Sequence, residues 1–266
     1  MERSDTTNLQ FLITFMPVFL LSNKLIFPPP HLAGGDGLLA IGGDLGKERL
    51  LLAYRMGIFP WFSEDEPIMW WSPDPRFVLY PKDIRVSKSL KKIINKNIFK
   101  VTIDSSFEQT ISLCAHIRLQ KNKGTWLGED MIEAYCNLHE AGYAHSVEAW
   151  YKGKLAGGLY GVSLGKCFFG ESMFTRISNA SKVAFIALVE YLKTLSFDMI
   201  DCQLATEHLK NFGAREIPRS VFLKQLNESL KERTKKGRWV YNSEIKDIFS
   251  AAKSTAASTS SAECSL

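Results

Sequence analysis

The sequence has no unbroken apolar run of membrane length, no paired cysteine spacing and no large surplus of one charge. Each absence removes a class of protein. Its five cysteines (Cys114, Cys136, Cys167, Cys202, Cys264) form no CxxC and share no paired histidine spacing. An odd, scattered set reads as reduced thiols and excludes a disulfide framework and a zinc ligand set. The apolar stretch "FLITFMPVFLL" at 11–21 is interrupted by Pro17 and falls short of the ~20 residues a spanning helix needs. A secretory signal would need a basic start and a small-residue cleavage site. Arg3 is offset by Glu2 and Asp5, and "SNKLIFPPP" supplies no such site. The reading is a cytosolic chain. Met16 opens "MPVFLLSNKLIFPPP" and is a second candidate start, which would make residues 1–15 an extension. Gly46-Lys47 lacks the spacing and the following Ser or Thr of a phosphate loop.

What is present is ordinary globular material. The 266 residues are 45% hydrophobic and 23% charged, enough for one large domain or two unequal ones. A net charge of +5 and a pI near 8.8 permit a nucleic-acid partner without requiring one. Positive charge gathers twice. Residues 82–100 hold seven Lys or Arg against Asp83, and "KERTKKGR" (231–238) holds five against one Glu. Either cluster alone reads as a solvated face; beside exposed aromatics they fit a phosphate track.

Along the chain, "GGDGLLAIGGDL" (34–45) is a short apolar strand between glycine turns, and Asp44 is expected to cap a helix that Gly57 ends. The stiff "PIMWWSPDPR" (67–76) reads as a short extended piece before a rigid turn. Ser87 is expected to cap a helix with Leu90, Ile93 and Ile94 on one face and Lys88, Lys91 and Lys92 on another. Helices follow at about 106–119 and 129–141. Then come the strand "AHSVEAWY", a Lys152-Gly153 hairpin into "KLAGGLYGVSL", and the strand "CFFGESMFT". "NASKVAFIALVEYLKTLSF" is apolar almost all round and hence a buried helix, "DMIDCQL" is a strand, and 217–233 an amphipathic helix. The expected class is mixed α+β: a first segment at 1–26, a small N-terminal α/β domain at 27–85, a larger domain at 86–240, and a polar, disordered tail within 241–266. Strand, hairpin, strand, buried helix, strand is the order of an acetyltransferase-type (GNAT) core.

Polar residues stand out in two apolar strands: Glu171 in "FFGESMF", and Asp201 with Gln203 in "DMIDCQL". Residues two apart on a strand share a face. A buried carboxylate without partners is costly, so these groups belong to a satisfied network or to the mouth of a pocket. Phe168, Met173, Phe185, Leu188 and Ile200 are the apolar floor available to such a pocket. No serine or cysteine has a base in motif context. The remaining chemistry is transfer between two bound substrates, driven by positioning.

"GLLAIGGDL", "AYRMGIFPWF", "WWSPDPR", "GTWLGEDMIEAY", "HSVEAW", "GGLYGV", "FGESMFTR", "NASK", "DCQ" and "GAREIPR" occur in order over about residues 27–220. Together they resemble the leucyl/phenylalanyl-tRNA–protein transferase family. The resemblance implies a bacterial cytoplasmic enzyme with no cofactor and no metal, acting as a monomer away from membranes. It would move Leu or Phe from leucyl-tRNA or phenylalanyl-tRNA to proteins that begin with Arg or Lys, marking them for degradation. By resemblance, Trp61 and Trp126 hold the 3′-terminal adenosine, and Trp70 with Trp71 build a wall beside it. Leu159, Phe168, Met173, Phe185, Leu188 and Ile200 line the amino-acid pocket. Glu171 lies near the acceptor's N-terminal residue, Asp201 and Gln203 serve the transfer step, and Lys88, Lys91 and Lys92 meet the tRNA backbone. Three positions depart from the family pattern: Leu159 replaces Met, Phe185 replaces Leu, and Thr206-Glu207 replaces Asn-Asp.

In this reading Gln203 orients the attacking amine, since glutamine is not a base, while Asp201 holds Gln203 and stabilises developing positive charge. Two rivals remain on the sequence alone. An acetyl-CoA-dependent N-acetyltransferase would want a glycine-rich loop, and "TRISNASK" has none. A non-enzymatic RNA-binding module explains the charge but not the polar strand residues.

Overall fold

The computed structural model describes residues 18–63, 65–120 and 127–240. Short strands come first. β1 (Phe19–Leu21), β2 (Leu38–Gly42), β3 (Phe59–Pro60) and β4 (Met69–Trp71) form a mixed sheet in the order β1-β2-β4-β3, with α1 (Lys47–Arg55) between β2 and β3 in the chain. α1 begins later than its sequence suggests. Gly46 takes the cap position, and the Asp44 carboxylate accepts from Gly46 N–H and from Arg49 Nε, both at 2.8 Å. Asp44 therefore folds the approach to the helix rather than capping it. Gly57 ends α1 at a φ of 70°.

The second sheet has seven strands in the order β11-β5-β10-β9-β8-β7-β6. These are β5 (Arg76–Leu79), β6 (Lys100–Ile103), β7 (Ala144–Tyr151), β8 (Lys154–Leu164), β9 (Cys167–Thr175), β10 (Met199–Gln203) and β11 (Arg215–Ile217). β9 and β10 run parallel across α5 (Ala180–Thr194), while the other pairs are antiparallel. β5, which precedes the boundary expected at residue 85, belongs to this larger sheet. Consecutive strand residues point to opposite faces, so Phe168 enters a core under α5 and α2 (Lys88–Asn95). Phe169 enters the core shared with α1, α3 (Phe107–Gln120), α4 (Glu129–Glu140) and the small sheet.

Local signals account for much of this. Ser87 Oγ accepts Leu90 N–H at 3.2 Å, and Leu90 and Ile94 are the buried residues of α2. Lys152 and Gly153, at φ 48° and 74°, turn the β7–β8 hairpin with the positive dihedrals that twist-matched two-residue loops require. α5 is buried on nearly every side. The region expected as one helix over 217–233 is α7 (Arg219–Ser229) followed by an irregular basic segment. The short α6 (Glu207–Asn211) and β11, absent from the sequence reading, lie just before it. No helix among the described residues is long and apolar enough to cross a membrane. The expected start at Met16 and the tail at 241–266 lie outside the described residues.

Candidate active site

The site grows from a fault in β10. Ile200 pairs with Leu79 and Asp201 with Val78, but Gln203 pairs with Phe77, so the register shifts between Asp201 and Gln203. Gln203 sits at φ 62°, the left-handed region that L-residues rarely occupy. The two-residue spacing predicted a shared face. The bulge breaks it: Gln203 lines a cavity and Asp201 does not. The Asp201 carboxylate holds the kink by accepting Gln203 N–H at 2.9 Å.

Asp201 is fully buried and its charge is matched by Arg76. Nε donates to Oδ1 at 2.8 Å and Nη2 to Oδ2 at 2.6 Å. The Arg76 guanidinium lies between the rings of Phe59 and Phe222, at 4.8 and 4.6 Å from their centroids. Such a two-pronged pair fixes geometry as well as charge. A buried aspartate on an apolar strand requires a buried cation. That requirement was the signal for Arg76, but no spacing rule connects residues 125 apart.

The cavity encloses about 350 Å³, within the range of small-ligand sites. Leu159, Phe168, Met173, Phe185, Leu188 and Ile200 all line it, as the sequence reading expected, with Leu209 and Leu204 toward α6. Thr206, one of the departures from the family pattern, caps α6 by accepting Leu209 N–H at 3.3 Å and also lines the cavity.

Glu171 closes the polar end. Its Oε1 accepts from Gln203 Nε2 and its Oε2 from Tyr135 OH, both at 2.8 Å. Tyr135 in turn meets Tyr54 through their hydroxyls at 2.5 Å. Tyr54 from α1 and Tyr135 from α4 are fully buried, and sequence reasoning missed both, because each reads simply as core on an amphipathic helix. Burial pushes the Glu171 carboxyl up to about 7; Asp201 adds to this, against the lowering hydrogen bonds from Tyr54, Tyr135 and Gln203. The same burial, together with the charge on Glu171, holds both phenols well above their ordinary value. The arrangement is an apolar slot ending in a carboxyl raised toward neutrality and an amide held by it.

Trp61 stands at the rim, 41% exposed. Trp71 Nε1 donates to the Trp61 carbonyl at 2.6 Å, and their rings lie 5.5 Å apart at 60°. Trp70 is fully buried, donating to Gly42 O at 2.8 Å with its ring 4.8 Å from Phe27. Trp71 thus braces Trp61, while Trp70, its neighbour on β4, turns to the opposite face and packs in the core against Phe27. Trp126 lies outside the described residues. Lys88, Lys91 and Lys92 are exposed on α2, away from the cavity lining. Among the described residues no three His, Cys, Asp or Glu side chains gather as a metal-ion group.

Comparisons with known proteins identify the family. The model of the leucyl/phenylalanyl-tRNA protein transferase family matches residues 78–227, and that of its N-terminal domain matches 43–74. A leucyl/phenylalanyl-tRNA–protein transferase of Desulforapulum autotrophicum is 57% identical over 226 residues, covering 85% of this chain and 99% of that one. One from Desulfatibacillum aliphaticivorans is 56% identical, covering 86% and 98%. A solved structure, a conserved protein of unknown function from Bacteroides thetaiotaomicron, aligns over 60% of this chain and 57% of that chain. Its identity is 12% and its TM-score 0.37, too low to carry an argument. By these matches the chain is a transferase. The chain belongs to the leucyl/phenylalanyl-tRNA–protein transferase family.

Proposed function

We propose that this chain transfers Leu or Phe from leucyl-tRNA or phenylalanyl-tRNA to the N-terminal α-amine of proteins that begin with Arg or Lys, marking them for degradation. It acts as a cytoplasmic monomer. The observation that carries this reading is the apolar cavity of about 350 Å³ whose polar end is the Glu171–Gln203 pair. A slot of that kind takes Leu or Phe by shape and excludes polar side chains by leaving them unpaired. The succession β7, β8, β9, α5, β10 supports an acetyltransferase-type core for the larger body.

The aminoacyl ester is already activated, so alignment and proton removal are what remain to be supplied. Gln203 donates to Glu171 through Nε2, which leaves its Oε1 to accept an N–H of the incoming amine. The acceptor's α-ammonium gives a proton to Glu171, whose raised value near 7 suits that exchange. The neutral amine then attacks the ester carbonyl, the bond to the ribose oxygen breaks, and that oxygen leaves with the extra proton that the attacking nitrogen sheds as it becomes the amide. Asp201, turned from the cavity and paired with Arg76, acts as a positioning residue for Gln203. Trp61, braced by Trp71, offers a face for the terminal adenosine, with Trp126 as its expected partner. Lys88, Lys91 and Lys92 are exposed cations suited to the tRNA backbone.

Purified protein, leucyl-tRNA and a peptide beginning with Arg test this directly. The expected result is a peptide heavier by one leucine residue, with no gain when the peptide begins with Glu. No gain from either leucyl- or phenylalanyl-tRNA would contradict it, and a mass gain on addition of acetyl-CoA alone would favour the acetyltransferase reading.

A further inference from the structure

The second basic cluster of the sequence is built into the fold differently from a solvated tail. After α7 the chain runs irregularly through 231–238, yet it is tied down repeatedly. Gly165 N–H donates to Thr234 Oγ1 at 2.9 Å, and Gly237 N–H donates to the Gly142 carbonyl at 3.2 Å. Both contacts depend on close backbone approach. A side-chain carbon at Gly142 would fall 2.2 Å from Gly237 N, and one at Gly165 would fall 2.1 Å from Ser229 O. Trp239 then plugs the core, 1% exposed, its backbone N–H donating to Asp104 Oδ2 at 2.7 Å and its indole to the Lys235 carbonyl at 3.1 Å.

This pinned segment faces the end of α1. Arg55, Arg233, Lys235 and Lys236 line one cleft with Tyr143. The Lys236 ammonium sits 4.7 Å over the Tyr143 ring, a contact that steadies a long side chain. Within 231–238 the single acid is Glu232, and the nearby Glu228 is taken by Lys231 at 2.7 Å. Among the described residues none of the four cleft cations forms an ion pair with a carboxylate. Four like charges held close by a fixed backbone repel one another, and a polyanion relieves that repulsion.

We infer that this cleft is a second contact for the nucleic-acid substrate, gripping phosphates of the tRNA body at a distance from the aminoacylated end. The inference rests on the aminoacyl-tRNA reading above. Chain geometry fixes the scale: Arg55 is six residues before Trp61, and six residues reach at most about 22 Å. A double helix presents on the order of ten phosphate charges over such a span. The neighbouring Tyr54 hydroxyl belongs to the Glu171 network, so α1 carries one residue to the site and the next to the cleft.

The test is the triple variant Arg233→Ala/Lys235→Ala/Lys236→Ala, three exposed side chains whose loss leaves the backbone ties in place; an unchanged melting temperature confirms the fold. Uncharged full-length tRNA binding is measured against salt. The slope of log affinity on log salt should fall by about two to three, and affinity at low salt by about tenfold or more. Transfer from intact leucyl-tRNA should show a raised KM, while transfer from a leucylated trinucleotide ending in adenosine stays at the wild-type level. Unchanged affinity and slope would overturn the inference, as would equal damage with the trinucleotide. If wild-type protein bound tRNA but transferred nothing, the functional reading would fail, and the salt slopes would still judge the cleft.

Discussion

Two glutamates on the same sheet, both in apolar strands, have opposite fates. Glu148 on β7 is fully buried, and donors surround it. Ser146 Oγ and Thr102 Oγ1 donate at 2.5 Å, and the N–H groups of Ser105 and Ser106, just ahead of α3, at 3.4 Å. Glu171 on β9 accepts from Tyr135, Gln203 and Tyr54 and faces a cavity. Burial raises both carboxyls. The difference is space: Glu148 has its hydrogen bonds filled by its own fold, whereas Glu171 sits where a substrate atom can reach it. A perturbed carboxyl marks a functional site only where a cavity meets it.

The largest expected effect comes from making the same change in both places. Glu171→Gln removes the proton acceptor and should lower the transfer rate by about 10²–10⁴-fold. Glu148→Gln should leave transfer unchanged and cost about 1–3 kcal/mol of stability, because an amide NH₂ would face groups that donate. Comparable loss of transfer in both variants, after correction for folded fraction, would erase the distinction. Next is the brace behind Gln203. Arg76→Met leaves the Asp201 charge buried and unpaired, a change that costs about 3–5 kcal/mol by denaturant titration.

Proton linkage gives a third comparison. A Glu171 carboxyl raised from 4.5 to about 7 on folding makes the native state bind its proton more tightly. Stability from this group is present below about pH 4.5 and is lost as pH rises through 7. Glu171→Gln should therefore gain stability over wild type at pH 8 relative to pH 5, by up to about 3 kcal/mol. A gain of the same size at both pH values would show that the group does not titrate there. Smaller still is the floor: Phe185→Ala, which also loses the ring contact 5.0 Å from Phe212, should weaken leucine transfer by about 1–3 kcal/mol and admit bulkier amino acids. An unaltered rate and Leu/Phe ratio would return Phe185 to the core alone.

Strand alternation, glycine stops and the Ser87 cap made the β7–β10 succession with its buried α5 legible in the sequence, because these signals act over a few residues. The six apolar pocket positions came from family resemblance joined to that pattern, and the cavity gathers all of them. What stayed hidden is long-range. β5 enters the large sheet beside β10 across more than a hundred residues of chain, and with it comes Arg76. Tyr54 and Tyr135 are 81 residues apart and resemble any helix core residue until the fold joins their hydroxyls. The bulge at Gln203 defeated simple alternation, since the residue that breaks the period is also the one the site needs. Glu148 in "HSVEAW" and Glu171 in "FFGESMF" are both strand glutamates, and packing decides which of them meets a cavity.

The most direct measurement is the pH dependence of transfer from saturating leucyl-tRNA to a saturating Arg-starting peptide, for wild type and Glu171→Gln together. Wild-type rate should climb with pH and level off near 7 as Glu171 ionises, and the variant should be slow and lack that rise. A variant that kept the same limb near 7 would place the titrating group elsewhere and contradict Glu171 as the proton acceptor.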